Sequence, residues 1–322
     1  MKTTISAIAM GLGLALASTG ASAQFQTFAN TTQQGSGNRG YIEQQVPADS
    51  VSEATLIQRG SNNVAGDPLA RTGGILQIDS EARATIIQDG TANTASIVQN
   101  DATRNASRIE QLGEANVAAF RQEHTSAPSL SVLQSGTANY IRAEQRDMGA
   151  FGVIASQDGA DNRITLLQQN SAYGGPQLTQ SGVANQITLD QFDAAYSFVE
   201  VSQFGDANKA SVRQNGSVDT AGTSITQLGD TNTASLQQGG ENNAAATLQT
   251  GSGNQAATTQ SLNNNASLIT QNGSGNFATT LQTGIAGYAP LRNNSYITQV
   301  GSGFVANVVQ SGSGNQSGIY QH

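Results

Sequence analysis

Residues 88–122 read QDGTANTASIVQNDATRNASRIEQLGEANVAAFRQ. Gln88 is followed by Gly90, Asn93, Ala95 and Gln99, and 23 residues later the same frame returns as Gln111, Gly113, Asn116, Ala118 and Gln122. It returns at the same step from Gln134 (Gly136, Asn139, Gln145), Gln157 (Gly159, Asn162, Gln168), Gln180 (Gly182, Asn185, Gln191) and Gln203 (Gly205, Asn208, Gln214). A fixed period of roughly 20–50 residues decides the architecture before any local feature does.

Working outward, earlier frames start at Gln33 and Gln58, and later ones at Gln227, Gln249, Gln271 and Gln299. The chain closes on a half-frame, Asn315, Ser317, Ile319 and Gln321. Of the twelve full frames, eleven carry Gln-x-Gly-x-x-Asn, and the last has Phe304 where Asn is expected. Gly- and Pro-containing stretches at 66–74 and 284–292 read as inserted loops between arms of the repeat.

The repeat has a period of two within each arm. Stepping by two around the first turn gives Ala82, Ala84, Ile86, Gln88, then Asn93, Ala95, Ile97, Gln99. No Asp, Glu, Lys or Arg falls on this set in any frame, whereas Arg83, Arg108, Glu110, Arg121, Arg142 and Glu144 take the other parity. One dry face and one wet face at period two predict strands. Gly supplies the positive φ of the turn between two arms, and Asn either tolerates a left-handed conformation there or bonds its own backbone.

Two arms joined by a turn can pair with each other as a hairpin, or each with its equivalent in the next repeat as a β-arch. Only the arch stacks Gln above Gln and Asn above Asn, where their amides satisfy one another. An unpartnered buried amide costs roughly 1–3 kcal/mol, so the recurrence of Gln and Asn on the dry face favours the arch. The expected fold is therefore all-β: a β-solenoid of strand–turn–strand rungs forming two facing parallel sheets with cross-β spacing. The closing half-frame still obeys the ladder rule, so Asn315, Ser317, Ile319 and Gln321 are expected to form an open assembly end. Head-to-tail contact between open ends makes a filament.

The first 23 residues are set apart from the repeat. Lys2, the apolar run at 5–17 and Ala21-Ser22-Ala23 have the order of a secretory leader with an A-x-A cleavage site. The expected organisation is a signal peptide at 1–23 and a repeat solenoid at 24–322, with no membrane-inserted segment. Composition agrees with a laddered rather than a conventional core: 11% of residues are charged, against about 25% in a typical domain, and 5% are aromatic. There is no Cys, which excludes a disulfide framework and thiolate metal sites. A net charge of −8 argues against nucleic acid and anionic lipid as partners.

The tandem unit Gln-x-Gly-x-x-Asn-x-Ala-x-x-x-Gln, following a secretory leader, resembles the curlin repeat of bacterial curli subunits. The resemblance covers essentially all of 24–322, with the family's Ala matched by Ala65, Ala95, Ala118, Ala210, Ala234, Ala256, Ala278 and Ala306. Gly40, Ile141, Ile164, Ile187 and Ser267 depart from it at that position. Asn105, Asn265 and Asn293 stand where the family tends to have Ser. The resemblance implies a functional amyloid of the biofilm matrix, exported through the periplasm of a Gram-negative bacterium. Its implied partners are further copies of itself in a homopolymer fibre, a curli-type outer-membrane secretion channel and a nucleating subunit.

Catalytic and cofactor chemistry is not indicated. His124 and His322 have no paired ligand or nucleophile in the sequence. Asp158-Gly159-Ala160-Asp161 lacks the repeated GGxGxD of a calcium β-roll. Gly-Ser-Gly-Asn at 251–254, 273–276 and 312–315 has no following Lys for a phosphate cradle and reads as turns. Tyr41, Tyr140 and Tyr296 read as surface decoration. The expected function is a secreted structural subunit, not an enzyme, that assembles into adhesive extracellular fibres. The rival reading, a monomeric β-solenoid adhesin or surface binder, calls for a regular outward array such as Thr-x-Thr. A polysaccharide lyase calls for clustered acids or a basic cleft. The outward residues here are irregular.

Overall fold

The computed structural model describes residues 2–9, 27–47, 50–66, 73–149, 152–216, 222–285 and 291–322. The leader's A-x-A site, Asp67-Pro68 and Pro290 lie outside the described residues. Every described regular element is a strand, and the chain forms two compact units, Met1–Asp161 and Asn162–His322.

In the first unit, six first-arm segments pair in parallel and in register. Gln33 lies on Gln58, then Gln88, Gln111, Gln134 and Gln157. The second arms form their own parallel ladder, with Gln44 on Gln77, then Gln99, Gln122 and Gln145. In the second unit, the first arms stack from Gln180 through Gln203, Gln227, Gln249, Gln271 and Gln299 to Gln321. Its second arms stack from Gln168 through Gln191, Gln214, Gln238, Gln260 and Gln282 to Gln310. Arms pair with their equivalents in the next rung, so the repeat is the arch and not the hairpin. The fold is a β-solenoid of about twelve turns.

The two sheets of a unit face each other across one dry interior. First-arm Ile269 and Ile297 pack with second-arm Ala256, Ala278, Ala306 and Val308, and the half-buried Ile319 joins them. The buried polar side chains are Gln, Asn, Ser and Thr, and no described Asp, Glu, Lys or Arg is among them. Departures from the repeat are absorbed locally. At Gly40 a Cβ would lie 2.3 Å from Leu56 Cδ2, so the missing methyl makes room for a larger facing residue. Tyr41, expected at the surface, is buried at 1% exposure, with its hydroxyl donating to Glu43.

The insertion after Ala65 leaves the register intact. Gly40 pairs with Ala65 and Ile42 with Ile75, so the two described flanks of the insertion keep one register against the same arm. The strand Lys2–Ala9 runs antiparallel to Arg39–Pro47, the one antiparallel strand pair among the described residues.

Candidate functional site: the buried amide ladders

The first turn of each rung brings the sequence-predicted Gly, Asn and Gln together. Gly at the second position after Gln adopts φ between 94° and 132° throughout the twelve rungs, and the residue before Asn is left-handed: Ala92, Ala115, Ala138, Ala184 and Ala207 at 55–58°. The left-handed residue is therefore the neighbour of Asn and not Asn itself. Asn is needed inside the turn, where its side chain replaces backbone partners.

Within the first-turn column an interior asparagine amide is used to capacity. Asn93 Oδ1 accepts from Asn116 N at 3.0 Å and Asn116 Nδ2 at 3.1 Å, while Asn93 Nδ2 donates to Asn63 Oδ1 at 3.1 Å and to Gly113 O at 2.9 Å. The same arrangement links Asn116 to Asn139 in the first unit. It links Asn162 to Asn185, and Asn208 through Asn232 and Asn254 to Asn276, in the second. Asn185 Oδ1 accepts from the backbone N of Asn208 at 3.0 Å. At Phe304 the column loses its side chain, and only the backbone N–H still donates to Asn276 Oδ1.

The glutamines form two further columns per unit. Gln88 Nε2 donates to Gln111 Oε1 at 2.9 Å and to Val64 O at 3.2 Å, and its own Oε1 accepts from Gln58 Nε2 at 2.8 Å. The first-arm column continues through Gln134 to Gln157, and the second-arm column runs from Gln99 through Gln122 to Gln145. In the second unit, Gln168, Gln191 and Gln214 are linked in one column, and Gln180, Gln203 and Gln227 in the other. All eighteen Gln and Asn singled out between Gln88 and Gln214 are no more than 1% exposed. Within each unit the columns have one direction: Nε2 donates toward the higher-numbered rung.

The predicted assembly-end residues continue this pattern. Asn315 N and Nδ2 donate to Asn293 Oδ1 at 3.1 and 3.0 Å, and Gln299 Nε2 donates to Gln321 Oε1 at 2.8 Å. Ser317 lies on Ser295 and Ile319 on Ile297. Among the described strands, Val305–Ser311 and Gln316–Gln321 each have one partner.

Three features escape the sequence reading. The residue two after the second-arm Gln is left-handed at Asp79, Asp101, His124, Asp147, Asn170 and Asp193, with φ of 47–51°. These residues tolerate that conformation, and their fixed offset was the signal. A second asparagine column occupies the other turn of the C-terminal rungs. Asn265 N donates to Asn243 Oδ1 at 3.0 Å, Asn293 Nδ2 to Asn265 Oδ1 at 3.0 Å, and Asn315 closes the column. Its signal was Gln-x-Gly-x-x-Asn recurring half a repeat out of phase, at Gln238 and Gln310. The third is a surface charge lattice in the first unit. Arg121 and Arg146 bracket Glu123, and Arg142 pairs with Glu144. The hydrogen bond from Arg121 holds the Glu123 carboxyl below its ordinary value against the opposing effect of burial, with the nearby positive charges of Arg121 and Arg146 assisting.

Among the described residues no group of three His, Asp or Glu is placed to hold a metal ion, and no helix is long and apolar enough to cross a membrane. His124 is exposed, with Nδ1 3.4 Å from Asp147 Oδ1 on the next rung. No protein-family model matches the chain. No curated protein matches it either.

Proposed function

We propose that this protein is an exported structural subunit whose rungs stack copy upon copy into an extracellular amyloid fibre, of the curli-like kind that gives a biofilm matrix adhesion and cohesion. The single observation that carries the reading is Gln44 Oε1. It is buried and has no hydrogen-bond partner among the described residues, while Gln44 Nε2 donates to Gln77 Oε1 at 2.7 Å. The missing partner is an amide N–H from a preceding rung. A second copy supplies one only if it is stacked in the same direction, because a reversed copy would bring acceptor onto acceptor. Lys2–Ala9 pairs along this edge in the full chain; on this reading its removal with the leader leaves the Gln44 acceptor at an open rung, where a stacked copy's amide can bond it and cover it together.

Such a fibre grows head to tail with one polarity. On this reading the chain crosses the outer membrane unfolded through a curli-type channel, and a nucleating subunit starts the fibre. The test is to purify 24–322 from denaturant and follow thioflavin fluorescence together with electron microscopy. Fibres with a cross-β reflection are expected. A chain that remains a soluble monomer at tens of micromolar for days overturns the proposal in favour of a monomeric surface-binding solenoid.

A further inference from the structure

Two tyrosines in the second unit lie outside every ladder. Tyr173 and Tyr196 are the fifth residues after second-arm Gln168 and Gln191, so they occupy the same corner of successive rungs. Their ring centroids are 4.9 Å apart and their planes 10° from parallel. Both are solvent-facing, at 44% and 49% exposure. Both also take a left-handed backbone, with φ of 58° and 56°, a conformation a bulky side chain rarely adopts.

The corners beneath the rings are fixed to one another. Asp193 N donates to Gln169 O at 3.0 Å, Ala194 N to Ser171 Oγ at 3.3 Å, and Tyr196 N to Ala172 O at 2.8 Å. The equivalent residue one repeat before Tyr173, Ala150, lies outside the described residues. Two repeats earlier the corner carries Ala127 in the same left-handed conformation, so it does not require an aromatic ring. An observed strained conformation at an exposed, chemically competent pair is a reason to look for function.

We propose that Tyr173 and Tyr196 are an oxidative cross-linking site, joined by a peroxide-driven one-electron oxidant into a dityrosine staple between successive rungs. Each phenol loses one electron and its hydroxyl proton, giving a phenoxyl radical with spin on the ring carbons ortho to oxygen. The two radicals form one Cε–Cε bond. Each joined carbon then releases its proton and each oxygen regains one, restoring two phenols. Overall two hydrogen atoms leave, and they reduce one hydrogen peroxide to two waters. Stacking at this distance pre-pays the encounter of the two radicals. The staple would hold the two rungs together independently of the amide columns, in a chain that has no Cys for a disulfide.

The experiment exposes the full folded chain to a haem peroxidase and hydrogen peroxide, then digests it with a protease that cuts before Asp. Cleavage at Asp190 and Asp193 places the two tyrosines on separate peptides, 161–189 and 193–205. The expected product is the pair of peptides covalently joined, lighter by two hydrogen atoms than their sum, as the most abundant linked tyrosine pair. It should be lost in Tyr173→Phe, which keeps the ring stack, and fall to the level of other pairs when the chain is oxidised in denaturant. The proposal is overturned if the linkage is no more abundant in the folded chain than in the denatured one. It is equally overturned if a mixture of isotope-labelled and unlabelled copies gives the joined peptides chiefly as labelled–unlabelled hybrids. Neither result depends on fibre formation.

Discussion

Gln88 donates its side-chain N–H to the side-chain oxygen of Gln111 at 2.9 Å, and both residues are fully buried. Gln111 passes the pattern on to Gln134 at 2.9 Å and also donates to Thr94 O at 3.0 Å. Removing one member therefore affects three neighbours. Gln111→Ala leaves a donor on Gln88 and an acceptor on Gln134 unmet in the interior, a loss of roughly 2–5 kcal/mol. The outward Ser135→Ala, on the next rung, should stay within about 0.5 kcal/mol of the parent. Urea unfolding of both variants under non-assembling conditions checks this. Equal midpoints would mean that the amide columns do not stabilise the rungs.

The glycines divide into two kinds. At Gly136, with φ of 105°, a Cβ would fall 2.0 Å from Gly159 O, inside a backbone-to-backbone approach that cannot open without parting the rungs. At Gly275, with φ of 64°, nothing lies within 4 Å, and the equivalent place in other rungs is held by Ala92 or Ala115. Gly136→Ala is expected to be severely destabilising, by more than about 3 kcal/mol, as strain and overpacking add. Gly275→Ala should cost only about 1–2 kcal/mol, the left-handed penalty without any overpacking. Thermal unfolding of the two variants distinguishes these outcomes.

Glu123 sets an acid limb on stability. Its carboxyl is held low in the fold, chiefly by the hydrogen bond from Arg121. A group with a depressed folded value contributes stability that is complete above its unfolded value and is lost as pH falls through the folded one. Glu123→Gln should therefore lower stability at neutral pH and flatten its decline in acid, with the two chains converging at the lowest pH. The amide columns do not titrate, so β-structure should survive there. Circular dichroism and urea midpoints measured down through the carboxylate range provide the check.

Most of this architecture was legible in the sequence because a ladder writes itself as identity at fixed offset. The 23-residue step placed Gln on Gln, and parity placed Ile97 inside and Arg121 outside. What was not legible depends on geometry between rungs. Turn composition alone does not show that the left-handed residue is Ala92 and that Asn93 supplies hydrogen bonds. Tyr41 takes the outward parity yet is covered, and nothing local announces that. The stacking of Tyr173 on Tyr196 requires knowing that both corners turn the same way. The second asparagine column was visible only as a motif out of phase, where Asn265 and Asn293 read as departures from Ser.

That second column separates two asparagines the repeat treats as equivalent. Asn265 donates to Asn243 Oδ1 at 2.9 Å and Ser261 O at 3.0 Å, and accepts from Asn293. Asn105, at the same place in an earlier rung and 2% exposed, donates to Thr125 Oγ1 at 2.6 Å, but its Oδ1 has no partner among the described residues. Deleting a fully used buried amide forfeits its bonds and orphans their partners, whereas deleting one that already carries an unmet oxygen relieves part of its own burial penalty. Asn265→Ala should therefore destabilise the second unit by roughly 2–3 kcal/mol, and Asn105→Ala the first by less than about 1 kcal/mol. Amide hydrogen exchange of the flanking strands, read separately in each unit, measures both. Faster exchange should spread along Ala244–Ser252 and Asn293–Ser302 in the Asn265 variant, while Ser129–Thr137 stays protected in the Asn105 variant. Equal losses in the two variants would show that the neighbouring amides do not cooperate.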